Sequence, residues 1–240
     1  MKATMVVPGV YRILQGFVSA YVVEADDGLV LVDCGEPKGD EQIAAGLLRM
    51  GRQAAEIRHI LVTHHHPDHV GGLAAMVRRT GAPVYVHPVD AAAVSGARAR
   101  MRPSWNSVVA RILGPVVARA NSTPPEPATV DVELADGAQL PMAGGIRVVH
   151  TPGHTLGHVS FLLERDGGTL IVGDAALNIA GIRPATGRMA EIVGEDVTAA
   201  GESFRRLAEL EFDNAVFGHG GPIRSGASER FRQAAARRLR

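Results

Sequence analysis

The sequence predicts an α/β fold, and three observations carry that expectation. Short apolar runs alternate with amphipathic stretches of helical period through the first half of the chain. The second half is richer in short apolar runs separated by turn residues. In both halves a buried run repeatedly ends in a carboxylate or a histidine, and α/β proteins collect their ligand sites at such strand ends.

In chain order, Val10 to Leu14 and Ala20 to Val23 read as strands, Asp26-Asp27-Gly28 as a hairpin turn, and Leu29 to Val32 as a fully buried strand. That strand ends at Asp33-Cys34-Gly35, where Asp33 is either a capped turn residue or a functional group. Cys34 reads as a small core residue, because no base or basic cluster accompanies it in sequence. From Asp40 to Met50 the positions Ile43, Ala44, Leu47 and Leu48 repeat with helical period, and Gly51 stops the helix.

The strand His59 to Val62 then runs into Thr63-His64-His65-His66-Pro67-Asp68-His69, the pattern His-x-His-x-Asp-His. His64 and His66, two apart, share one side of an extended segment. Pro67 bends the chain and turns Asp68 and His69 toward a second point. Imidazole nitrogen and carboxylate oxygen suit zinc, iron or manganese, at ~2.0–2.2 Å in the zinc case. The plainer alternative is a solvated His-rich loop, against which stand three further ligand candidates downstream in equally ordered settings. His65, between two ligand candidates, points the other way.

Gly71-Gly72 permits close backbone approach before a helix from Leu73 to Arg79, and Pro83 to His87 reads as the next strand. Between Ala91 and Pro127 the rhythm changes. Trp105, Val108, Val109, Ile112, Leu113, Val116 and Val117 form an apolar helical stripe that Gly114-Pro115 should kink. It is either an ordinary core helix or a lid or substrate wall, flanked as it is by the Arg-rich stretch 98–102 and by Pro124-Pro125-Glu126-Pro127; a membrane-surface helix is a weaker option.

Strands are expected at Thr129 to Leu134, Ala138 to Leu140 and Ile146 to His150, the last leading to the turn Thr151-Pro152-Gly153-His154. Val159 to Leu163 and Thr169 to Val172 follow, and Gly173-Asp174 repeats the carboxylate at a strand end. A helix over Val197 to Leu210, the strand Ala215 to Phe217, the turn Gly218-His219-Gly220-Gly221 and a basic helix from Glu229 to Arg240 with a solvated charged face complete the chain. Small neighbours let the His219 ring reach a crowded centre. His59, His87 and His150 fall in or beside strand runs and read as packed, hydrogen-bonded histidines.

Composition narrows the function. A chain of 240 residues with 46% hydrophobic content fits a single α/β domain. Lys+Arg 25 against Asp+Glu 25 gives no electrostatic footprint for nucleic acid, and 4% aromatics supply few stacking platforms. The single cysteine excludes an internal disulfide and a Cys-rich zinc site, leaving His and Asp to carry any metal. Met1 to Val10 lacks the character of a signal peptide and no run approaches ~18 apolar residues, so the expected location is the cytoplasm without stable membrane association.

These motifs, in this order, resemble those of the metallo-β-lactamase-fold hydrolase superfamily, from Val32-Asp33-Cys34-Gly35 to Gly218-His219-Gly220. The resemblance implies a four-layer αββα sandwich of two mixed β-sheets flanked by helices, one domain over residues 1–240 with a helical insertion at about 91–127. It implies two divalent metal ions, zinc first among them and iron or manganese as alternatives. His64, His66 and His154 would hold the first, Asp68, His69 and His219 the second, and Asp174 would bridge them. Asp33 would orient ligands by hydrogen bond, with His158 close behind His154. Ions ~3.5–4 Å apart can share a water and supply hydroxide near neutral pH, with Asp68 and Asp174 as the catalytic carboxylates and Asp68 passing a proton to the leaving group.

Within that superfamily, exported antibiotic hydrolases, nucleases with basic surfaces and flavodiiron reductases fit poorly. A small-molecule substrate is expected, an ester, lactone or thioester as in the glyoxalase II-like and acyl-homoserine lactonase-like branch. Trp105, Val109, Ile112 and Leu113 would form an apolar wall for an acyl chain. A dedicated glutathione-thioester hydrolase would carry a C-terminal helical extension, whereas 21 residues follow His219 here (240 minus 219). The alternative from another class is a mononuclear iron sulfur dioxygenase acting on a persulfide. A homodimer is compatible with the sequence.

Overall fold

The computed structural model describes residues 3–98, 105, 107–120, 124–187 and 190–238. Seven strands build the first sheet: β1 (Ala3–Val7), β2 (Val10–Gln15), β3 (Val18–Ala25), β4 (Gly28–Val32), β5 (Ile57–Leu61), β6 (Val84–Val86) and β7 (Val132–Glu133), adjacent in that order. The first four pair antiparallel through tight hairpins, and β4 to β7 run parallel. Parallel neighbours require crossovers. These contain α1 (Gly39–Arg49), the short α2 (Pro67–Val70) with α3 (Leu73–Thr80), and α4 (Pro88–Val94) with α5 (Val108–Ala120).

The second sheet collects β8 (Gln139–Leu140), β9 (Ile146–His150), β10 (Val159–Leu163), β11 (Thr169–Ile171) and β14 (Asn214–Val216) in the spatial order β14-β11-β10-β9-β8. A separate hairpin, β12 (Ala176–Asn178) with β13 (Ile182–Pro184), precedes α6 (Val197–Ala208), and α7 (Ala227–Arg238) follows β14.

Alternation along the strands produces the layers, because successive side chains face opposite sides. On β4, Leu29 and Leu31 pack with Ile43 and Leu47 of α1 and with Leu73 and Met76 of α3. Val30 and Val32 face the other way and meet Val148, Phe161, Ile171 and Val216 of the second sheet. The outer face of that sheet buries Leu162, Leu170 and Ala215 against Phe204 and Leu207 of α6 and Phe231 of α7. The result is the helix-sheet-sheet-helix sandwich, each fully buried side chain contributing on the order of 1.5–3 kcal/mol.

Several elements differ from expectation. The Pro8-Gly9 break is itself a hairpin turn, so the residues before it form β1. The run Thr129 to Leu134 pairs with β6 over two residues only, because Asp131 turns its carboxylate to accept from the Val84 N–H at 2.8 Å. α4 begins before the expected insertion, with Pro88 at its first turn and the His87 ring accepting from Val89 N–H. The β12–β13 hairpin was unread because three-residue strands leave little periodicity.

α5 starts at Val108, leaving Trp105 outside the helix, and runs through Pro115. Its stripe does not enter the core: Val108, Ile112 and Val116 are 70%, 65% and 67% exposed, while Ala110 is buried and Gly114 stands against the Trp105 indole. Residues 99–102 of the Arg-rich stretch and the Val117 side chain lie outside the described residues. α7 buries Phe231 and Ala234 and turns its charges outward. Among the described residues no helix is long and apolar enough to cross a membrane.

Candidate metal centre

All seven ligand candidates converge at one edge of the sandwich, where the strands of both sheets end. Three groups emerge, each with donor atoms within 4.8 Å of one another: His64, His66 and His154; His64, His69 and Asp174; Asp68, His69 and His219. The loop after β5 supplies the first four side chains, with His66 capping α2, where Pro67 opens a turn that carries Asp68 and His69. His154 comes from the turn after β9, Asp174 from the end of β11, and His219 from the turn after β14.

Asp33 sets the ring orientations. It sits at φ 60, a left-handed conformation that asparagine and aspartate tolerate better than most residues. Its Oδ1 accepts from Thr63 N–H at 2.8 Å, and its Oδ2 from the Thr63 hydroxyl at 2.7 Å and from His69 Nδ1 at 2.8 Å. Since a carboxylate only accepts, the single hydroxyl proton of Thr63 goes to Asp33, and Thr63 Oγ1 therefore accepts from His64 Nδ1 at 3.0 Å. Both His64 and His69 are thus left with Nε2 free to face the centre. His219 Nδ1 donates to Phe17 O at 2.9 Å, which directs its Nε2 inward as well.

His64 Nε2, His69 Nε2 and Asp174 Oδ1 are buried without a hydrogen-bond partner. Such atoms are costly unless they bind something. His69 Nε2 and Asp174 Oδ1 stand 3.5 Å apart, and Asp174 Oδ2 lies 3.4 Å from His154 Nε2 and 3.2 Å from His219 Nε2. Asp174 therefore reaches both the histidine-rich side and the acidic side. The donor set of imidazole nitrogens and carboxylate oxygens fits divalent zinc, iron or manganese.

Protonation divides the cluster in two. Burial, reinforced by neighbouring imidazoles, pushes His64, His66 and His154 below the ordinary histidine range. Burial works the same way on His69, but Asp174, Asp33 and Asp68 outweigh it and raise its pKa well above the ordinary value. His219 is pushed up to about 10, again against burial, by its contacts with Asp174 and Asp68. The carboxyls of Asp68 and Asp174 are held below their usual range, since His69 and His219 overcome the desolvation penalty.

His158 supports the centre from behind. Its Nε2 accepts from Asp174 N–H at 2.9 Å and its Nδ1 faces Thr151 Oγ1 at 2.7 Å. Burial holds its pKa down to about 3, so the ring is neutral, as an accepting Nε2 requires. Gly218 is obligatory in this packing, because a Cβ there would run into Asp174 Oδ1 and His69 Cε1. His65 does point away, its Nδ1 lying 3.0 Å from Asp90 Oδ2. His59 contacts the Tyr85 hydroxyl, and His87 stacks on His150 at 4.1 Å between ring centroids.

Sequence reasoning missed Thr63, Asp90 and Tyr21. Thr63 adjoins the ligand run and was open to inspection. Asp90 carries no signature beyond its place in the first turn of α4, and the Tyr21 hydroxyl, 2.7 Å from Phe217 O, spans a separation no local pattern reveals. Trp105 donates from Nε1 to Ile192 O at 3.2 Å, Val109 is half-buried, and Ile112 and Leu113 are exposed.

Comparison with known proteins places these features. The family model of the Metallo-beta-lactamase superfamily matches residues 13–219. A "Probable metallo-hydrolase YflN" of Bacillus subtilis is 26% identical, covering 90% of this chain and 85% of that protein. A hydroxyacylglutathione hydrolase of Chromohalobacter salexigens is 30% identical over 88% of this chain, but only 64% of the enzyme's own length is covered. Among solved structures, metallo-beta-lactamase SMB-1 bound to 2-mercaptoethanesulfonate superposes with a TM-score of 0.72 at 21% identity, covering 100% of this chain and 95% of the other, which speaks for the fold alone.

Proposed function

The chain belongs to the metallo-beta-lactamase superfamily, and from that premise we propose a metal-dependent hydrolase that holds two divalent cations, zinc foremost, and cleaves an ester, lactone or thioester of a small acyl substrate. The observation that carries this reading is the division of seven converging side chains into a three-histidine group and an Asp68, His69 and His219 group, with Asp174 within reach of both. When bound, cations at these groups supply Lewis acidity and lower the pKa of water toward ~7.

The remaining work falls to the chain. Asp33 and Thr63 engage the Nδ1 atoms of His64 and His69 and so keep the Nε2 atoms of both rings aimed at the centre. Asp68, whose side chain is 37% exposed, stands 3.2 Å from His219 Nε2, where it can carry a proton toward a departing group. The apolar surface of Trp105, Val109, Ile112 and Leu113 serves the acyl portion. That surface is tied to the centre through Trp105 to Ile192 O and Ser107 N–H to Glu191 Oε2, while Glu195 N–H bonds His154 O.

The family relatives support an acyl substrate through the hydroxyacylglutathione hydrolases, whose name states hydrolysis of an acyl conjugate of glutathione. The reading has a small-molecule partner, no nucleic acid, no stable membrane association and a cytoplasmic setting. The test is proton release at mildly alkaline pH from zinc-loaded protein offered a long-chain acyl lactone or a glutathione thioester, with His66→Ala as control. Turnover of either, abolished in the variant, is expected. Silence on both sinks the hydrolase reading and turns attention to iron and oxygen uptake on a persulfide.

A further inference from the structure

The three-histidine group is drawn from two separate loops, one after β5 and one after β9, and something must fix the distance between them. Asp90, on α4, is 1% exposed and stands between the two loops. Its Oδ2 accepts from His65 N–H at 3.0 Å, the peptide between His64 and His66, and from the Thr155 hydroxyl at 2.7 Å, the residue after His154. Its Oδ1 accepts from Gly157 N–H at 3.1 Å, where glycine is needed because a Cβ would strike the carboxylate. The His65 ring lies alongside, its Nδ1 3.0 Å from Asp90 Oδ2 without hydrogen-bond geometry, and on its far side Nε2 lies 3.9 Å from Glu195 Oε1. Glu195 Oε2 accepts from Leu156 N–H at 2.7 Å, a second tie to the His154 loop.

We infer that Asp90 is the positioning residue of the three-histidine site, clamping the His64 to His66 segment to the His154 to Gly157 segment so that three imidazoles hold one ion. The inference rests on the metal centre proposed above and on neither the substrate nor the bond cleaved. Every group that meets the Asp90 carboxylate in these bonds donates, so only an ion with acceptors on both oxygens satisfies them. An asparagine keeps the volume and loses one acceptor, setting an N–H against an N–H or a hydroxyl that has nowhere else to donate. Partners behind metal ligands typically govern affinity ten- to a hundred-fold when removed. The Asp68, His69 and His219 group takes its support from Asp33 and Phe17 O, so Asp90 acts on one ion only.

The experiment uses the full chain loaded with cobalt(II), with affinities from chelator competition and the hyperfine-shifted imidazole N–H resonances as a site-resolved readout. Asp90→Asn is expected to weaken binding at His64, His66 and His154 about ten- to a hundred-fold and to shift their resonances while those of His69 and His219 stay. Thr155→Val, which removes one hydrogen bond and keeps the shape, is expected to move the same signals in the same direction by less, and it decides the matter if the first variant does not fold. Unchanged affinity and resonances in the variants, or equal weakening of both groups, overturns the inference. Wild-type protein that takes up no cobalt at the three histidines overturns the metal reading itself, and the inference with it.

Discussion

On the two-ion reading proposed above, the split in protonation across the cluster should make loading a two-step process with two different pH dependences. His64, His66 and His154 are held below the ordinary histidine range and are neutral at pH 7, so the ion they hold displaces no proton from them. His69 is raised well above that range and His219 to about 10, so both carry protons that a second ion must expel. The sign follows directly: a raised pKa means protons compete with metal, and affinity climbs as pH rises toward that pKa. At pH 7 the His219 proton alone lies about three pH units from release, which at 1.36 kcal/mol per unit costs about 4 kcal/mol, or roughly a thousand-fold in apparent affinity. His69 adds a second factor of about ten per pH unit below its own pKa. Between about pH 6 and about pH 8 the second dissociation constant should therefore fall at least about ten-fold per unit from His219, and more steeply wherever His69 is also protonated, while the first stays nearly flat. Chelator competition at several pH values reads both constants, and calorimetry in buffers of different ionisation enthalpy counts the protons, expected near zero and then near two. Equal slopes for the two ions, or a second ion that releases less than one proton, would refute the reasoning.

Three further outcomes test separate parts of the structure. Trp105→Ala should lower turnover of long-chain acyl substrates more than of short ones, since it removes apolar surface and the bond to Ile192 O; an equal loss for both would show that the segment is no acyl wall. Gly218→Ala should leave the fold intact by circular dichroism yet abolish loading of the second ion, because the new methyl occupies the space of Asp174 Oδ1 and His69 Cε1; full loading in metal analysis would contradict the packing. Tyr21→Phe strips the group that donates to Phe217 O and accepts from Phe217 N–H, leaving both buried, and should cost about 1–3 kcal/mol in urea unfolding, with a shift under about 0.5 kcal/mol counting against it.

How much of this was legible beforehand depended on whether the determining interaction was local. The strand β4 is four apolar residues after Gly28, and the helix α1 is a clear repeat stopped by Gly51 at φ 74, so each was readable from its own residues. The ligand candidates were readable for the same reason: a histidine or aspartate after an apolar run announces a strand end, and His64, His154, Asp174 and His219 lie in the turns that follow strands, with His66 at the start of the short helix after β5 and His69 within it. The α5 stripe misled in part because periodicity states which residues share a face and not which way the face turns. The side that packs is the one with Ala110 and with Gly114 under the Trp105 ring, and the apolar stripe is left outward.

What sequence could not show is how the ligands are held at the right separation, since that depends on residues distant in the chain. Asp33 reaches Thr63 and His69 across 30 and 36 positions, and Asp90 reaches Gly157 across 67. Such contacts leave no periodic trace, because an acceptor is fitted to whatever donors the fold brings near it. A buried carboxylate whose neighbours in hydrogen bonding are all donors is nevertheless strongly constrained, for it costs several kcal/mol to bury and is retained only if each bond is made. Asp33 and Asp90 meet this description and stand behind the acidic and the histidine-rich halves of the centre respectively, Asp33 reaching the second half only through Thr63. The centre is thus built as two separately braced halves that meet at Asp174, and losing either brace should disturb one ion before the other.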